Sequence, residues 1–525
     1  MIHHSSAPDV QIPDVTLVEY VLAGARRRGE KVALVDAGSG EHLTYRELAE
    51  GVAAAAAGLA RCGVVPGDVV AVISHNQPRY PLALYAALAA GATVTPVNPV
   101  LTVDEMTKQL AQAKASVVIS SVQAATKAAA AVELLHLAHH FVLDDANNPS
   151  AEPLSGGPAR SFGELLSEAG AAPVLAIDAA TAIAVLPFSS GTTSLPKGVM
   201  LTHRNLVANL EQNGAGWKVT EDDVLAAAVP FFHIYGFTII LNTALRAGAT
   251  VVTMQRYSLP AYLQMVQDHA VTRAFLAPPI VLELVTAPGV EGYDLSSLKY
   301  GICGAAPLDV DMTERAEKRL GCFIRQGYGM TEASPGTNLV PDAEFASLPA
   351  GSVGRLVANT EARLVDPVTG RDVDAGQSGE LWVRGPQVMA GYLNNPSATA
   401  GTIVEDGWLR TGDIVRIDES GVFWVVDRLK ELIKYKGYQV APAELEAVLL
   451  THPDILDAAV IGVPHAEGGE APKAFIVAAR PLDEGEVMRW VAERVAPYKK
   501  IREVEFVAAI PKSPSGKLLR RLLKN

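Results

Sequence analysis

The chain has 525 residues, of which 49% are hydrophobic and 19% are charged, a composition typical of a well-packed enzyme with about three to four domains or subdomains. A formal net charge of −13 argues against a binder of nucleic acid or membrane surfaces, because such proteins need a basic face. The cysteines, Cys62, Cys303 and Cys322, are too scattered for a disulfide framework or a zinc site. We expect a cytoplasmic protein without an integral membrane segment, since the sequence shows neither an apolar leader nor a sufficiently long apolar run.

The first part of the chain, about 1–175, alternates helical and strand-like patterns. The helical patterns predict a helix at 44–62, which opens at Thr44 and stops at Gly63, and another at 81–90. Short apolar runs predict buried strands at 69–73 and 92–96. This alternation indicates a doubly wound α/β sheet, and the polar segment 144–160 is predicted to be a loop between two lobes.

A second α/β unit is predicted for about 176–345. Its apolar runs predict strands at 182–186, 250–254 and 274–277.

The remaining sequence predicts two smaller units. Short strand-like runs broken by Gly and Asp predict a β-subdomain at about 346–428. Residues 429–525 predict a mobile α+β domain with a helix at 442–450, and a hinge at Lys430 fits the short, charged junction. The predicted fold class is α/β, with two doubly wound subdomains and a β-subdomain followed by this small C-terminal domain.

The segment SSGTTSLPKG, residues 189–198, follows an apolar run and combines glycines, several hydroxyl side chains and Lys197. Glycine lets the backbone approach a ligand closely, while hydroxyls, backbone N–H groups and a lysine bind anions. We interpret the segment as a loop for the β- and γ-phosphates of ATP. It differs from the common P-loop, because Pro196 stands in the place of the second glycine. The alternative is a flexible surface linker.

Three further motifs suit the same chemistry but are ambiguous one by one. Thr331 and Glu332 in YGMTE can offer a hydroxyl to a phosphate and a carboxylate to Mg²⁺, or form an ordinary turn. Asp413 in TGD, and Arg428 further on, can bind a ribose or lie in simple turns. Lys517 can stabilise developing negative charge from a loop near the C-terminus, or belong to a solvated basic tail.

Two other segments stay open on residue chemistry alone. His233 in PFFHIYG lies among aromatic residues and fits general acid–base catalysis or, as is commoner for a lone histidine, a hydrogen-bonded place in the core. Lys434, Lys436 and Gly437 in ELIKYKGYQV fit either a ligand site or a solvated surface.

The motifs follow one another in an order that resembles the adenylate-forming acyl-CoA synthetase superfamily: SSGTTSLPKG, PFFHIYG, GAAP, QGYGMTE, TGD, DRLKELIKYKGYQVAPAELE and PKSPSGK. The resemblance covers essentially the whole chain and is closest to 4-coumarate–CoA ligases and related aryl- or fatty-acyl-CoA ligases. It implies that a carboxylic acid and MgATP give an acyl-AMP and pyrophosphate, and that the thiol of CoA then attacks the acyl-AMP and releases AMP. It also implies an ATP- and acid-binding domain, 1–428, against which the domain 429–525 rotates about Lys430 between the steps.

The resemblance further implies a role for each matching residue. The residues implied to bind the β- and γ-phosphates are Ser189, Ser190, Gly191, Thr192, Thr193 and Lys197. The residues implied to line the adenine site are Gly304, Ala305, Ala306, Pro307, Gln326, Gly327 and Tyr328. Thr331 contacts the α-phosphate, Glu332 holds Mg²⁺, and Asp413 and Arg428 bind the ribose. Lys517 bridges carboxylate and α-phosphate in the first step, and His233 lies near the acyl carboxylate. The residues implied to face the site in the second step are Lys434, Lys436, Gly437 and Gln439.

The implied acyl pocket consists of Tyr235, Ile239, Gly304, Gly329, Pro335 and Gly336. Ile239 and Gly336 stand where plant coumarate ligases often have a small residue and Val. An apolar Ile gives a phenolic hydroxyl no partner, and leaving that hydroxyl unpaired costs about 1–3 kcal/mol. We therefore expect unsubstituted cinnamate, another aryl acid or a medium-chain acid to compete well with coumarate.

Two alternatives remain. A relative of the same superfamily can pass its acyl-adenylate to a carrier protein or another acceptor, and a nucleotide-binding regulatory protein can lack turnover altogether. The KGYQVAPAELE match favours CoA, and intact Thr331, Glu332 and Lys517 favour an active enzyme. We expect a monomer or homodimer whose partners are a small carboxylic acid, ATP and CoA, with no nucleic acid.

Overall fold

The computed structural model describes residues 1–143, 159–167, 174–189, 196–435, 438–465, 469–513 and 516–523. Its helices are α1 (Leu17–Leu22), α2 (Ala25–Arg28), α3 (Tyr45–Arg61), α4 (Arg79–Ala89), α5 (Val103–Ala113), α6 (Ala125–Leu134), α7 (Gly163–Leu166), α8 (His203–Gly216), α9 (Thr243–Ala247), α10 (Leu259–Asp268), α11 (Pro278–Thr286), α12 (Val310–Leu320), α13 (Pro396–Thr402), α14 (Pro442–Leu450) and α15 (Glu484–Ala492). A π-helical segment, Tyr235–Asn242, precedes α9.

The strands up to the middle of the chain are β1 (His3–His4), β2 (Val32–Asp36), β3 (His42–Thr44), β4 (Val69–Ile73), β5 (Thr93–Val97), β6 (Val117–Ser121), β7 (His139–Leu143), β8 (Ala159–Ser161), β9 (Ile183–Val185), β10 (Phe188–Ser189), β11 (Lys197–Thr202), β12 (Val224–Ala227), β13 (Thr250–Thr253), β14 (Arg273–Leu276) and β15 (Tyr300–Cys303). The later strands are β16 (Phe323–Gln326), β17 (Tyr328–Gly329), β18 (Gly336–Leu339), β19 (Arg355–Leu356), β20 (Glu361–Val365), β21 (Gly379–Arg384), β22 (Gly391–Tyr392), β23 (Ile403–Val404), β24 (Trp408–Ile417), β25 (Phe423–Arg428), β26 (Ile433–Tyr435), β27 (Tyr438–Val440), β28 (Ile455–His465), β29 (Gly469–Ala478) and β30 (Glu503–Phe506).

The first large sheet has the order β10-β11-β9-β5-β4-β6-β7-β8, and β22 pairs with β11. Its central strands are parallel and buried almost throughout, as expected of strands with helices on both faces. Helix α3 begins where the sequence predicts, because Thr44 accepts from the Glu47 N–H and the Glu47 carboxylate accepts from the Thr44 N–H.

The second large sheet has the order β16-β15-β14-β12-β13-β2-β3 and is parallel except for β3. Strands β2 and β3 come from the beginning of the chain, whereas β9, β10 and β11 belong to the first sheet. The predicted boundary near residue 175 therefore does not separate the sheets. Local patterns predict strands but not their partners, and Leu34 pairs with Val251 across more than two hundred residues.

Three smaller sheets complete the fold. The β-subdomain sheet runs β1-β20-β21-β24-β23 with β25 on β24, and β17-β18-β19 form a three-stranded sheet. The C-terminal sheet runs β27-β26-β29-β28, with β30 on β29. The chain changes sheets between Arg428, the end of β25, and Ile433, the start of β26, so the predicted hinge Lys430 lies in the connection. Rotation about it stays a prediction.

The predicted elements largely agree with the observed bounds: β4 spans 69–73 and α14 spans 442–450, and the others shift by one or two residues. In the predicted lobe-connecting loop 144–160, residues 144–158 lie outside the described residues. Residues 159–161 form β8, which pairs with β7 at the edge of the first sheet, so this end is a strand rather than a loop. None of the described helices has the length and apolar content needed to cross a membrane.

A buried ion cluster connects the C-terminal tail to the rest of its domain. Arg520 donates from Nη2 to both carboxylate oxygens of Glu446 at 2.8 Å and also pairs with Glu431. The Arg520 side chain is 14% exposed, and Glu446 Oε1 also accepts from the Val460 N–H at 2.8 Å. Removal of the guanidinium would leave two carboxylates in a low-dielectric environment.

We therefore expect Arg520→Ala to destabilise the C-terminal domain by about 3–5 kcal/mol, because it breaks a buried pair from one side. The matched control is Arg480→Ala. Its guanidinium is 50% exposed and pairs with Asp454 and Glu486, so its removal should have little effect on stability. Hydrogen exchange of the β28 and β29 amides measures both changes. Equal losses of protection in the two variants would contradict the prediction.

Candidate active site

A cavity of about 560 Å³ lies where the second sheet, the three-stranded sheet, the β-subdomain and the C-terminal domain meet. Gly304 follows β15 and Gly327 follows β16, so the cavity opens at the carboxyl ends of parallel strands, where α/β sheets bind ligands. Its lining comprises Phe188, Ser189, Lys197, Asn213, Trp217, His233, Ile234, Tyr235, Ile239, Ile302, Cys303, Gly304, Ala305, Gly327, Tyr328, Gly329, Met330, Thr331, Glu332, Pro335, Gly336, Asn338, Glu380, Tyr392, Gly401, Thr402, Arg410, Thr411, Gly412, Asp413, Arg428, Leu429, Lys430, Ser513 and Lys517.

Glu332 is fixed in the cavity wall by two hydroxyl groups. Ser189 Oγ donates to Glu332 Oε1 over 3.2 Å, and the Tyr392 hydroxyl donates to the same oxygen over 2.9 Å. Lys197 Nζ lies 4.9 Å from the centroid of the Tyr392 ring. Tyr392 therefore connects the lysine of the predicted phosphate loop to the carboxylate, although these residues are far apart in sequence.

Asp413 lies in β24, directly across from Arg428 in β25. It accepts from the Tyr328 hydroxyl over 2.5 Å, and Arg428 Nε lies 3.3 Å from its other oxygen. Burial raises the pKa of Asp413, and Arg428 and the Tyr328 hydroxyl oppose that rise. The three residues place a carboxylate, a guanidinium and an aromatic ring together.

Lys517 reaches the cavity from a tight turn in the C-terminal domain. Its N–H donates to Ser513 Oγ over 3.0 Å, and the Ser513 N–H donates to the Lys517 carbonyl over 2.8 Å. Gly516 has a φ of +81°, and a Cβ there would lie 2.7 Å from Cδ of Pro279 in α11. Only glycine permits this close approach, which places the turn against the N-terminal part of the protein.

The Lys517 ammonium faces groups of both signs. Burial and, to a smaller extent, the charge of Arg428 lower the pKa of Lys517 to about 8, while Glu431, Asp413 and Glu332 raise it. Desolvation is the largest of these effects, because it disfavours the charged form. A negatively charged ligand in the cavity would raise the pKa of Lys517 again.

His233 lies just before the π-helix, with its ring centroid 4.7 Å from that of Phe232. Burial lowers its pKa to about 4, so the imidazole is neutral at physiological pH. Its Nε2 is buried and finds no hydrogen-bond partner within the described ranges. His233 lines the cavity, so the structure does not place it as a hydrogen-bonded core histidine, and its role in the reaction stays a prediction.

Tyr235, which is predicted to belong to the acyl pocket, lines the cavity. The Tyr235 hydroxyl donates to the Ile302 carbonyl over 3.1 Å, so the phenol is anchored to β15 and its ring forms the pocket surface. A Cβ on Gly304 would lie 3.1 Å from Cζ of that ring, and one on Gly329 would lie 2.2 Å from the Pro335 carbonyl oxygen. Because these glycines have no side chain, the backbone at 304 can lie close to the Tyr235 ring and the backbone at 329 close to Pro335, and the cavity walls there stay flat.

The pocket around Ile239 is not purely apolar. Ile239 is 3% exposed and lines the cavity together with the amides of Asn213 and Asn338. A Cβ on Gly336 would lie 2.9 Å from Asn213 Oδ1, so the missing side chain at 336 provides the space for that amide. Ile239 itself gives a phenolic hydroxyl no partner, and the expectation that cinnamate, another aryl acid or a medium-chain acid competes well with coumarate stays a prediction.

Sequence reasoning also missed Tyr392, Ser513 and an ion pair in the wall, in which Arg410 Nη2 lies 3.0 Å from Glu380 Oε2. Ser513 lies in the PKSPSGK motif but was given no role there. Tyr392, Glu380 and Arg410 lie outside the motifs, and they reach the cavity through the pairing of β22 with β11 and of β21 with β24.

Most predicted residues meet in the cavity: Ser189, Lys197, His233, Tyr235, Ile239, Gly304, Ala305, Gly327, Tyr328, Gly329, Thr331, Glu332, Pro335, Gly336, Asp413, Arg428, Lys430 and Lys517. Ala306, Pro307 and Gln326 are absent from its described lining. The Gln326 amide instead exchanges two hydrogen bonds with the Leu308 backbone and so holds the loop after β15. Lys434 is exposed outside the cavity. Ser190, Gly191, Thr192, Thr193, Lys436, Gly437 and the Gln439 side chain lie outside what the structure describes.

The profile of the AMP-binding enzyme family matches residues 22–393, and that of the AMP-binding enzyme C-terminal domain matches residues 444–517. The chain belongs to this family. It is 41% identical to 4-coumarate–CoA ligase 3 of Oryza sativa subsp. japonica, over 100% of this chain and 94% of that protein. It is 40% identical to 4-coumarate–CoA ligase of Pinus taeda, over 100% of this chain and 97% of the relative.

Solved structures agree with this assignment. ATP-bound MatB from Rhodopseudomonas palustris superimposes with a TM-score of 0.86 at 26% identity, over 98% of each chain. A benzoate CoA ligase from Burkholderia xenovorans superimposes with a TM-score of 0.85 at 26% identity, over 97% of this chain and 100% of the other. The protein is thus an AMP-forming acid–CoA ligase that uses ATP, forms an acyl-adenylate and transfers the acyl group to CoA.

Proposed function

We propose that this ligase activates an aryl acid of the cinnamate or 4-coumarate type with MgATP. The observation that carries the proposal is the flat pocket in which the Tyr235 ring lies against Gly304, next to Ile239 and the unpaired Nε2 of His233. A planar ring fits between such walls, and the neutral imidazole is placed to hydrogen-bond an acid carboxylate. The names of the most similar relatives support the same substrate class.

The phosphate end of the site fits a magnesium nucleotide. A single buried carboxylate, Glu332, lies beside the hydroxyls of Ser189 and Tyr392 and near Lys197. Mg²⁺ usually binds one or two protein carboxylates together with substrate phosphates, so Glu332 would hold it and Thr331 would contact the α-phosphate. Bound Mg²⁺ would neutralise phosphate charge. Asp413 and Arg428 would bind the ribose hydroxyls, and Tyr328 would flank the adenine.

In the first step, an oxygen of the acid's carboxylate attacks the α-phosphorus of ATP. The bond between this phosphorus and the oxygen that bridges the α- and β-phosphates breaks, and pyrophosphate leaves. Lys517 would bind the incoming carboxylate and the α-phosphate together, so that its charge stabilises the transition state. Its turn, together with the cavity wall, would limit the access of water to the acyl-AMP.

For the second step the C-terminal domain would rotate about Lys430. The structure has Lys517 in the cavity and Lys434 outside it, an arrangement that suits adenylation. Rotation would withdraw Lys517 and bring Lys434, Lys436, Gly437 and Gln439 to the site, where the CoA thiol attacks the acyl carbonyl and AMP leaves.

The direct experiment incubates the protein with ATP, Mg²⁺ and cinnamate or 4-coumarate, with and without CoA, and measures pyrophosphate, AMP and thioester. We expect pyrophosphate release that depends on an aryl acid and thioester that depends on CoA. A medium-chain acid tested alongside should react more slowly. Release of pyrophosphate without thioester would instead indicate a carrier protein or another acceptor, and faster reaction of the medium-chain acid would overturn the aryl-acid proposal.

Lys517→Ala should slow adenylation by about a hundredfold or more, because it removes a preorganised charge from the transition state. Thioester formation from supplied acyl-AMP should stay largely intact, since Lys517 leaves the site before that step. Single-turnover measurements of each half-reaction check this. Equal losses in both would contradict a role confined to the first step.

Adenylation should also depend on pH through Lys517. The ammonium is protonated below its pKa of about 8, so kcat/KM for ATP in pyrophosphate release should fall as pH rises through that value. Saturating ATP should shift the fall to higher pH, because phosphate charge favours the ammonium. Lys517→Arg, which keeps its charge, should remove the alkaline decrease. An unchanged profile in this variant would assign the decrease to another group.

Two substitutions should each impair a different step of the reaction. Lys430→Pro fixes φ at the hinge and should impair mainly thioester formation. Gly516→Val places a Cβ 2.7 Å from Pro279, at a φ of +81°, and should impair adenylation by about a hundredfold while sparing the second step. The half-reaction assays above measure both. The same step impaired in both variants would contradict rotation between two arrangements.

A further inference from the structure

Both ends of the predicted phosphate loop lie against Tyr392 or the carboxylate that Tyr392 holds. Ser189 ends β10 and Lys197 begins β11, and the two residues pair directly across these strands. Ser189 Oγ donates to Glu332 Oε1 over 3.2 Å, and the Tyr392 hydroxyl donates to the same oxygen over 2.9 Å. Lys197 Nζ lies 4.9 Å from the centroid of the Tyr392 ring. Tyr392 is therefore linked to one end of the loop through Glu332 and to the other end through its ring.

Strand pairing explains why Tyr392 reaches the loop. Tyr392 of β22 lies directly opposite Val199 of β11, and Lys197 is two residues from Val199 on the same strand. Residues two apart on a strand face the same side of it, so Lys197 is a diagonal neighbour of Tyr392. The Tyr392 N–H also donates to the Thr399 hydroxyl over 2.9 Å, and the side chain is buried. The tyrosine is therefore held in place from its backbone.

The two parts of the Tyr392 side chain bind opposite charges. Its hydroxyl donates to a carboxylate, and the negative face of its ring attracts an ammonium group. Burial and the neighbouring Glu332 raise the pKa of Tyr392, so the hydroxyl keeps its proton and acts as a donor. Without the tyrosine, the Lys197 ammonium and the Glu332 carboxylate could pair with each other, which would take both charges away from a nucleotide.

We propose, building on the MgATP site proposed above, that Tyr392 is a positioning residue for the phosphate end of the nucleotide. Its hydroxyl holds the Glu332 carboxylate for the metal ion, and its ring holds the Lys197 ammonium for the β- and γ-phosphates. Two hydroxyls fix Glu332 Oε1, so Oε2 is the oxygen that would bind the metal. Tyr392 acts through these two neighbours.

The two contacts of Tyr392 can be separated by substitution. Tyr392→Phe removes the hydroxyl and keeps the ring, whereas Tyr392→Leu removes both. The first change should act on the metal alone, and the second should also act on phosphate binding in the absence of a metal. AMP lacks the β- and γ-phosphates and needs neither Lys197 nor Glu332 in this proposal. Its affinity should therefore be the same in all variants.

The test measures the binding of ATP, without any acid, by isothermal titration calorimetry in EDTA and in Mg²⁺. In the wild type, Mg²⁺ should improve the affinity for ATP. Tyr392→Phe should bind ATP in EDTA as the wild type does, but the improvement by Mg²⁺ should shrink by about tenfold, because a hydrogen bond to a charged group is lost. Tyr392→Leu should also weaken ATP binding in EDTA by about threefold, because the cation–π contact is lost.

The matched control is Tyr20→Phe. The Tyr20 hydroxyl donates to Glu211 over 2.7 Å, and the Arg246 guanidinium carbon lies 4.6 Å from the centroid of the Tyr20 ring. Tyr20 thus makes the same two kinds of contact, but it is absent from the described lining of the cavity. Tyr20→Phe should change neither the affinity for ATP nor its dependence on Mg²⁺. Unchanged binding of AMP shows that each variant folds.

The outcomes separate the role of Tyr392 from the function it serves. If Mg²⁺ improves ATP binding equally in the wild type and Tyr392→Phe, or if AMP binding weakens as much as ATP binding, the positioning role is overturned and the MgATP site stands. Tighter binding of ATP to Tyr392→Leu in EDTA would mean that the ring holds Lys197 away from the phosphates, and would overturn that part of the proposal. If Mg²⁺ does not improve ATP binding in the wild type, the metal site at Glu332 is overturned, and the role of the hydroxyl with it.

Discussion

The contact of Gly516 with Pro279 decides whether this protein has a complete active site. It is the point at which the C-terminal domain approaches α11 closely, and it carries the adjacent Lys517 into the cavity. The turn is held from within by Ser513, and the tail that follows is tied to α14 by Arg520. The contact itself is small and lacks a side chain, so the proposed rotation about Lys430 would break it without unfolding either domain.

The charged side chains of the cavity suit a ligand that carries a high negative charge. Lys517 faces Asp413 and Glu332, yet burial and Arg428 outweigh them and lower the pKa of Lys517 to about 8. Burial likewise raises the pKa of Asp413, although its contact with Arg428 opposes that rise. Burial therefore shifts the pKa of each group in the direction that disfavours its charged form. Phosphate and ribose would reverse this, since phosphate charge favours the ammonium and hydroxyl donors favour the carboxylate.

The sequence predicts those features that short segments determine. The capping residues of α3, the apolar run of β4 and the extent of α14 are local, and so are the motifs that contain Glu332, Asp413 and Lys517. Features that depend on distant pairing are not predictable in this way. The pairing of β2 with β13 moves the start of the chain into the second sheet, and Tyr392 reaches Glu332 only because β22 pairs with β11. Gln326 belongs to a nucleotide motif, but its amide holds Leu308 instead.

The hydrogen bonds of the acyl pocket separate its scaffold from its recognition groups. Tyr235, the most prominent polar side chain there, has its hydroxyl anchored to Ile302, so it contributes a surface and no polar selectivity. His233 Nε2 and Asn338 Nδ2 are buried without a partner in the described structure, so the folded state gains nothing from their polarity. A protein that keeps such atoms in a ligand cavity has them paired when the ligand is bound. In the aryl-acid function proposed above, the carboxylate would pair with His233 Nε2, and the ring would lie beside Tyr235.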